Sequence, residues 1–533
     1  MDEFWKEKID TLKTKIEDKD IGYIYEIGVR DLAYFYRTYF DDNIFKNIVE
    51  DLVNLLIQTN SSLLQLALVY LISEINFIQI TEYEEYYKSK INTIISEIIS
   101  KINKIKTTLD KDYPQEYRLY STITRSVSLY IAGNMKTMES TLIELQKSFP
   151  DNPKINLLLA LSKTKTSSTI YKVNLIEVIK TSVNTLEKAI AQELVGDISE
   201  LLQSISWYDD SENIYSELGL YRDLLRLYYK KTEKLKSDQT KKLQLAQEYI
   251  KLSNILLKLG DKEGAKKYLF EAFNILLQLN SFIEIIDIIN KSDPLNTFPE
   301  NKDDFLDIII KTFQKRITID PFNINLYLEY SNWLEKFNQK SKQEIVLKDA
   351  YRIAIEKRLT EKLLIISQNL LNIDPYNIEY ISNYIEACSI SNKSKEYIQN
   401  FLLEKVKELQ KEGKTEEYNI LIQKFSSFIS TEKIKNMEKQ KLIEKINNTS
   451  NINQKLEIIK EYLTKYPDDH EIAHIYIINK AQNNGNDQES YKLIKSAIEW
   501  YRNNLSNIPS NELEAIFNIL LENQDYETLQ QLL

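Results

Sequence analysis

The chain holds only two histidines, and both fall in one five-residue segment, HEIAH, from His470 to His474. On a helix, imidazoles four residues apart project from one side and can share a zinc ion, while the intervening Glu471 can activate a bound water. The chemistry this spacing could perform is zinc-assisted hydrolysis. Three features argue against it. The segment directly follows Tyr466-Pro-Asp-Asp, which places it in the first turn of a helix rather than in the middle of a buried one. No third histidine exists, and the downstream carboxylates Glu489 and Glu499 stand at the wrong spacing for a third ligand. Nothing in the flanking sequence reads as a strand. His470 and His474 stay as candidate ligands, but the expectation is no metal, no cofactor and no catalysis.

A second candidate is EGKTEEY around Gly413, which superficially has the look of a phosphate-binding loop. That pattern needs a glycine five residues before Gly413, where Glu408 stands. A serine or cysteine nucleophile lacks a histidine base outside HEIAH. Cys388 is the single cysteine, so no internal disulfide can form, and the expectation is a reducing, cytoplasmic setting. The start, MDEFWKEKID, is acidic and has no apolar core, unlike a signal peptide.

The elements that must position such groups follow from composition. Over 533 residues there are nine glycines and nine prolines, too few turns for an all-β chain but enough for long helices with short connections. Charged residues make up 28% and hydrophobic ones 43%, which fits neither a disordered chain nor a membrane protein. A net charge of −10 disfavours nucleic acid as a partner. The lysine-rich stretches beginning at Lys230 and Lys433 carry interleaved acids and read as solvated helix faces. The longest apolar run, Leu63 to Ile72, is too short to span a bilayer and reads as a buried helix.

Four glycines open one local pattern. After Gly133, Gly260, Gly413 and Gly485, apolar or small residues recur at offsets of five, nine and twelve. These are Met138, Leu142 and Leu145; Ala265, Leu269 and Ala272; Tyr418, Ile422 and Phe425; and Ser490, Ile494 and Ala497. Such offsets put three side chains on one helix face just after a tight turn. Gly219 opens a fifth copy with Leu224 and Tyr228 in place, but Lys231 fills the third position; Gly196 fits only loosely. Pro150, Pro321, Pro375, Pro467 and Pro509 mark the complementary joints, where one helix stops and neighbouring Asp or Asn residues can cap the next.

On these residues the segment Ala246–Asn280 resembles a tetratricopeptide (TPR) repeat, through Tyr249, Leu252, Ser253, Leu256, Gly260, Ala265, Leu269 and Ala272. The other copies are degenerate. The segment NLYLEYSNWLEKF, with Tyr327, Tyr330 and Trp333, resembles the half-a-TPR repeat of RNA-processing scaffolds, although the same aromatics suit an ordinary helix core. The TPR resemblance implies a concave surface lined by first helices. It places Gln247, Ile250, Asn254, Leu257 and Lys258 there in one repeat, and Asn325, Leu328, Asn332, Glu335 and Lys336 in another. Asn254 and Asn332 stand where the family's peptide clamp keeps asparagines, but Ile250 and Leu328 replace its lysine.

The expected fold is therefore all-α, a superhelical TPR-like solenoid of antiparallel helix pairs. Residues 1–115 form an unphased helical segment, 116–293 a first solenoid and 301–533 a second, separated at the Pro294–Pro299 segment. The expected function is a non-catalytic scaffold or adaptor for protein or peptide partners, with partner-binding residues Asn254, Lys258, Asn325, Asn332, Glu335 and Lys336. The alternatives are an RNA-processing scaffold or a zinc hydrolase at HEIAH. A final helix, DYETLQQLL, shows Tyr526, Leu529 and Leu533 on an apolar face. That greasy end implies self-association, another partner, or a chain that continues past Leu533.

Overall fold

A computed structural model describes residues 2–82, 84–105, 108–164, 168–183, 185–428, 431–483 and 488–533. Among them every regular element is helical. The chain divides into two compact units, Met1–Arg316 and Ile317–Leu533. The division falls inside the helix Lys302–Ile319, beyond the Pro294–Pro299 segment where the sequence suggested a break. Phe305 and Phe313 of that helix are fully buried, and Phe305 packs edge-on against Phe270 and Phe273 of the preceding pair. Phe298 stacks on Phe305 and anchors the proline segment to the first unit.

Local chemistry explains the helix ends. Gly133, Gly219, Gly260 and Gly413 all take positive φ, between 68° and 88°, and each lies between consecutive helices. At Gly260 the backbone closes a helix-terminating motif, with Gly260 N donating to Leu257 O and Asp261 N to Leu256 O. The Asp261 carboxylate then accepts from Gly264 N and starts the next helix. Gly196 lies inside the helix Leu186–Asp197, and Gly485 falls outside the described residues. The prolines sit at the joints: Pro153 begins its helix three residues after Pro150, and Pro509 directly precedes Ser510–Glu522.

Packing follows the offset pattern with one adjustment. Met138, Leu142, Leu145, Ala265, Leu269, Ala272, Ser490, Ile494 and Ala497 are all buried. In the Gly413 copy the helix Thr415–Lys424 is short; Leu421 fills its core position, and Tyr418 and Ile422 pack at the rim. Ala265 and Ala272 are fully buried where Lys242–Lys258 meets Lys262–Gln278, and Ser253 Oγ donates to Ala265 O across that seam at 2.7 Å. The run from Leu63 to Ile72 is the first half of a longer apolar stretch, Ser62–Ile80, with mean hydropathy 1.6. By length and composition alone that stretch could cross a membrane. Here Leu64, Leu66, Ala67, Leu68, Leu71 and Ile75 are fully buried in the first unit.

The first unit also closes on itself in a way that local spacing does not reveal. Trp5 Nε1 donates to Gly219 O at 2.8 Å, and the Tyr221 hydroxyl donates to the Asp2 carboxylate. Arg37, 3% exposed, makes a two-pronged pair with Asp223 at 2.7 Å and donates to Thr81 Oγ1. Arg222 lies 3.9 Å over the Tyr87 ring and pairs with Glu82. Asp2, Trp5, Arg37, Glu82 and Tyr87 thus pack against the Gly219 turn and the helix Tyr221–Lys236. Gly219 is needed twice there: for its φ of +68°, and because a Cβ would stand 2.4 Å from Phe4 Cε1.

Candidate functional site

The HEIAH histidines sit on the helix His470–Gln482 and do not converge on a ligand site. His470 is the first helical residue, with Asp469 capping through its bond from Ile472 N. Glu471, the would-be water activator, is exposed and pairs with Lys439 at 2.7 Å. His474 is engaged elsewhere: one ring nitrogen lies 3.0 Å from Glu512 Oε2 and the other 3.3 Å from the Tyr501 hydroxyl. Its ring packs between Trp500 and Tyr501. The pair of imidazoles is split between a helix start and an interhelical contact.

The described acids that do converge are elsewhere. Asp209, Glu212 and Glu248 bring carboxylate oxygens within 4.8 Å of one another. A cation already stands among them, because Lys231 is fully buried with its ammonium 2.6 Å from Asp209 and also bonded to Glu212. Glu248 lies 3.7 Å away, and Lys251 pairs with both Glu212 and Glu248. This explains the misfit in the Gly219 copy. The lysine does occupy the core-facing third offset, and three acids neutralise it there. Burial raises the Glu248 pKa, whereas Lys231 outweighs the effect of burial at Glu212 and lowers it. The Gly413 turn is likewise structural, joining Lys395–Lys411 to Thr415–Lys424.

The surface residues inferred from the repeat register occupy two helices. Asn254 and Lys258 are exposed on Lys242–Lys258 in the first unit, beside the exposed Gln247. Asn325, Asn332, Glu335 and Lys336 are exposed in the second, all four on Ile324–Lys336, with Asn332, Glu335 and Lys336 as helix-face neighbours and Asn325 one residue past the helix start. Lys258 lies 4.3 Å over the Tyr221 ring and Lys336 4.2 Å over Trp333, so both stems rest on aromatic surface with their charges outward. Asn325 Oδ1 accepts from Lys362 Nζ at 2.8 Å. Ile250, Leu257 and Leu328, at the remaining positions, are half-buried. Tyr327, Tyr330 and Trp333 are core residues, each under 10% exposed.

The helix pairs are TPR-like. No family model matches the chain, and no curated protein matches it either. Among solved structures it is similar to the TPR domain of P58(IPK), at 15% identity and a TM-score of 0.19, covering 77% of this chain and 98% of that one. The human IFIT1 dimer with PPP-AAAA gives 13% identity and 0.20, covering 76% and 95%. Naa15/Naa10 bound to HypK-THB gives 13% and 0.21, covering 99% and 73%. Those scores are far below what superposable folds give, so the architecture stands on this chain's own helix pairing.

The C-terminal helix corrects one expectation. Tyr526–Leu532 buries Thr528 and Leu532, with Leu529 half-buried beside them, whereas Tyr526 and Leu533 point outward at 65% and 87% exposure. Asp525 sets this phase by accepting from Thr528 N and Thr528 Oγ1. The cap turns Leu532, not Leu533, onto Ile516, Ile519 and Leu520 of the same core.

Proposed function

We propose that the protein is a non-catalytic scaffold or adaptor that binds protein or peptide partners on the exposed faces of its repeat helices. One observation carries this reading. On both readable first helices the apolar stripe is spent on neighbouring helices, while Asn254 and Lys258, and Asn325, Asn332, Glu335 and Lys336, remain exposed in rows one or two turns apart. Amides and charges so spaced can hydrogen-bond an extended backbone. The groups with the best prospects for chemistry support the same reading, since His474, Glu471, Glu212 and Glu248 are all engaged in interhelical pairs, Glu248 with Lys231.

The reading includes a reducing, cytoplasmic location, supported by the single, buried Cys388. It also includes self-association through the outward Tyr526 and Leu533, which sedimentation at rising concentration would register. The test of the main reading is partner capture with the full chain, followed by titration of the captured partner into a variant. That variant carries Asn325→Ala, Asn332→Ala, Glu335→Lys and Lys336→Glu. The expected result is weakened binding with unchanged helicity and melting; equal binding by the variant would overturn the assigned surface.

A further inference from the structure

Inside the first unit, the helices Val29–Tyr39, Ser62–Phe77, Pro114–Ile131, Pro153–Ser162 and Leu186–Asp197 surround a cavity of about 380 Å³. That is small for a ligand pocket but many times the volume of one water. Lys154 lies at its polar side, with its ammonium 2.7 Å from Glu74 Oε1 and 2.9 Å from Glu187 Oε1. Both glutamates are 3% exposed. Two buried carboxylates therefore share one ammonium, and a net negative charge remains beside the cavity. The rim does not cancel it: Lys8 is paired with Asp31 at 2.9 Å, and the exposed Arg30 and Glu217 add one charge of each sign.

A second observation is independent of the acids. Tyr34 is only 9% exposed and lines the cavity, yet its hydroxyl bonds to no described residue. The Tyr70 hydroxyl on the adjoining helix is also unbonded among the described residues, and its ring stacks on Tyr120 with centroids 4.6 Å apart. Tyr34 is nine-tenths buried, so its unbonded hydroxyl, beside that of the half-buried Tyr70 on the same space, marks a place where a donor or acceptor fits. Burial alone would lower the Lys154 pKa, but Glu187 and Glu74 outweigh it and keep the side chain charged. An incoming anion would meet two buried carboxylates that already outnumber the single ammonium.

We propose that this cavity binds a primary alkylammonium group, presented by a small free amine or by a lysine side chain. The net negative charge and the tyrosine faces favour a cation. The two free hydroxyls are acceptors for its N–H donors, which a quaternary ammonium lacks. The alkyl stem fits among the aromatic rings. This inference does not depend on the scaffold reading, because the cavity is internal to the first unit and shares no residue with the exposed rows.

The test is calorimetric titration of the full chain with 1,5-diaminopentane, n-butylamine, tetramethylammonium and Nα-acetyl-lysine methylamide, repeated with Tyr34→Phe/Tyr70→Phe. The expected result is saturable one-site binding of the primary amines, about tenfold or more weaker for tetramethylammonium and for the double variant. Tighter binding of the lysine derivative than of n-butylamine would assign the site to a partner's side chain, and the reverse order to a free amine. A circular-dichroism melt verifies that the variant folds. Should it not fold, Tyr34→Phe alone carries the same comparison. Absence of saturable binding by every primary amine, equal binding of tetramethylammonium, or unchanged affinity in a folded variant would overturn the proposal.

Discussion

Lys231→Met is the sharpest probe of how the first unit tolerates its buried charge. Methionine keeps most of the aliphatic stem and removes only the ammonium, so the loss is electrostatic rather than a cavity. Removing one partner of a buried pair typically costs about 3–5 kcal/mol, because the other charge is left uncompensated. Two features reduce that here. Lys251 remains within 3.1 Å of both Glu212 and Glu248, and the Asp209 side chain is 54% exposed and can be solvated. The expected loss is therefore about 2–3 kcal/mol at pH 7.5.

The loss should also depend on pH. Burial already raises the Glu248 pKa above its ordinary value with Lys231 in place. A carboxyl whose pKa is raised on folding binds its proton more tightly in the folded state, so stability falls as pH climbs from the unfolded pKa through the raised one. Deleting Lys231 lifts the Glu248 pKa further and widens that window upward. The deficit of Lys231→Met should then shrink at pH 5, and Lys231→Met/Glu248→Gln should recover much of it at pH 7.5. Urea denaturation of both variants at the two pH values supplies the numbers. A loss below about 0.5 kcal/mol that does not change with pH would refute the buried-cluster reasoning.

Ala272→Leu should destabilise by about 1–3 kcal/mol in the same assay, because the fully buried Ala272 leaves no room between its helices. His474→Ala should cost about 1 kcal/mol through its lost contacts with Glu512 and Tyr501, while His470→Ala should change melting little. Elemental analysis of either variant and of the wild type should find no stoichiometric zinc. Leu532→Glu should destabilise the second unit by at least about 2 kcal/mol, since it buries a charge, whereas Leu533→Glu should stay within about 0.5 kcal/mol.

The turns were legible wherever glycine made them. Gly133, Gly219, Gly260 and Gly413 all sit in the left-handed conformation, for which glycine has no steric penalty. Asn280, Asn338, Arg358 and Asn392 make the same turn without glycine, so the joints they form escaped the pattern. The first turn of the HEIAH helix was readable because proline and capping aspartate leave local marks. The contact of Arg37 with Asp223 was not, because 186 residues separate them and no local period encodes such a pair. Lys231 was visible as a violation of the repeat but not as the centre of an ion cluster, since its three acids come from two other helices. The amine cavity likewise combines side chains from seven helices whose sequences show only ordinary tyrosines and charged residues. At the C-terminus the apolar residues were correctly seen, but the Asp525 cap shifted the inward face from Leu533 to Leu532.

The central claim is that partners are held on the exposed faces of the first helices, and hydrogen–deuterium exchange of the full chain with and without a captured partner tests it most directly. Partner binding should slow exchange in residues 247–258, 324–336 or both and leave the buried seams around Ala272 and Leu421 unchanged. Protection confined to other helices, or none at saturating partner, would contradict it.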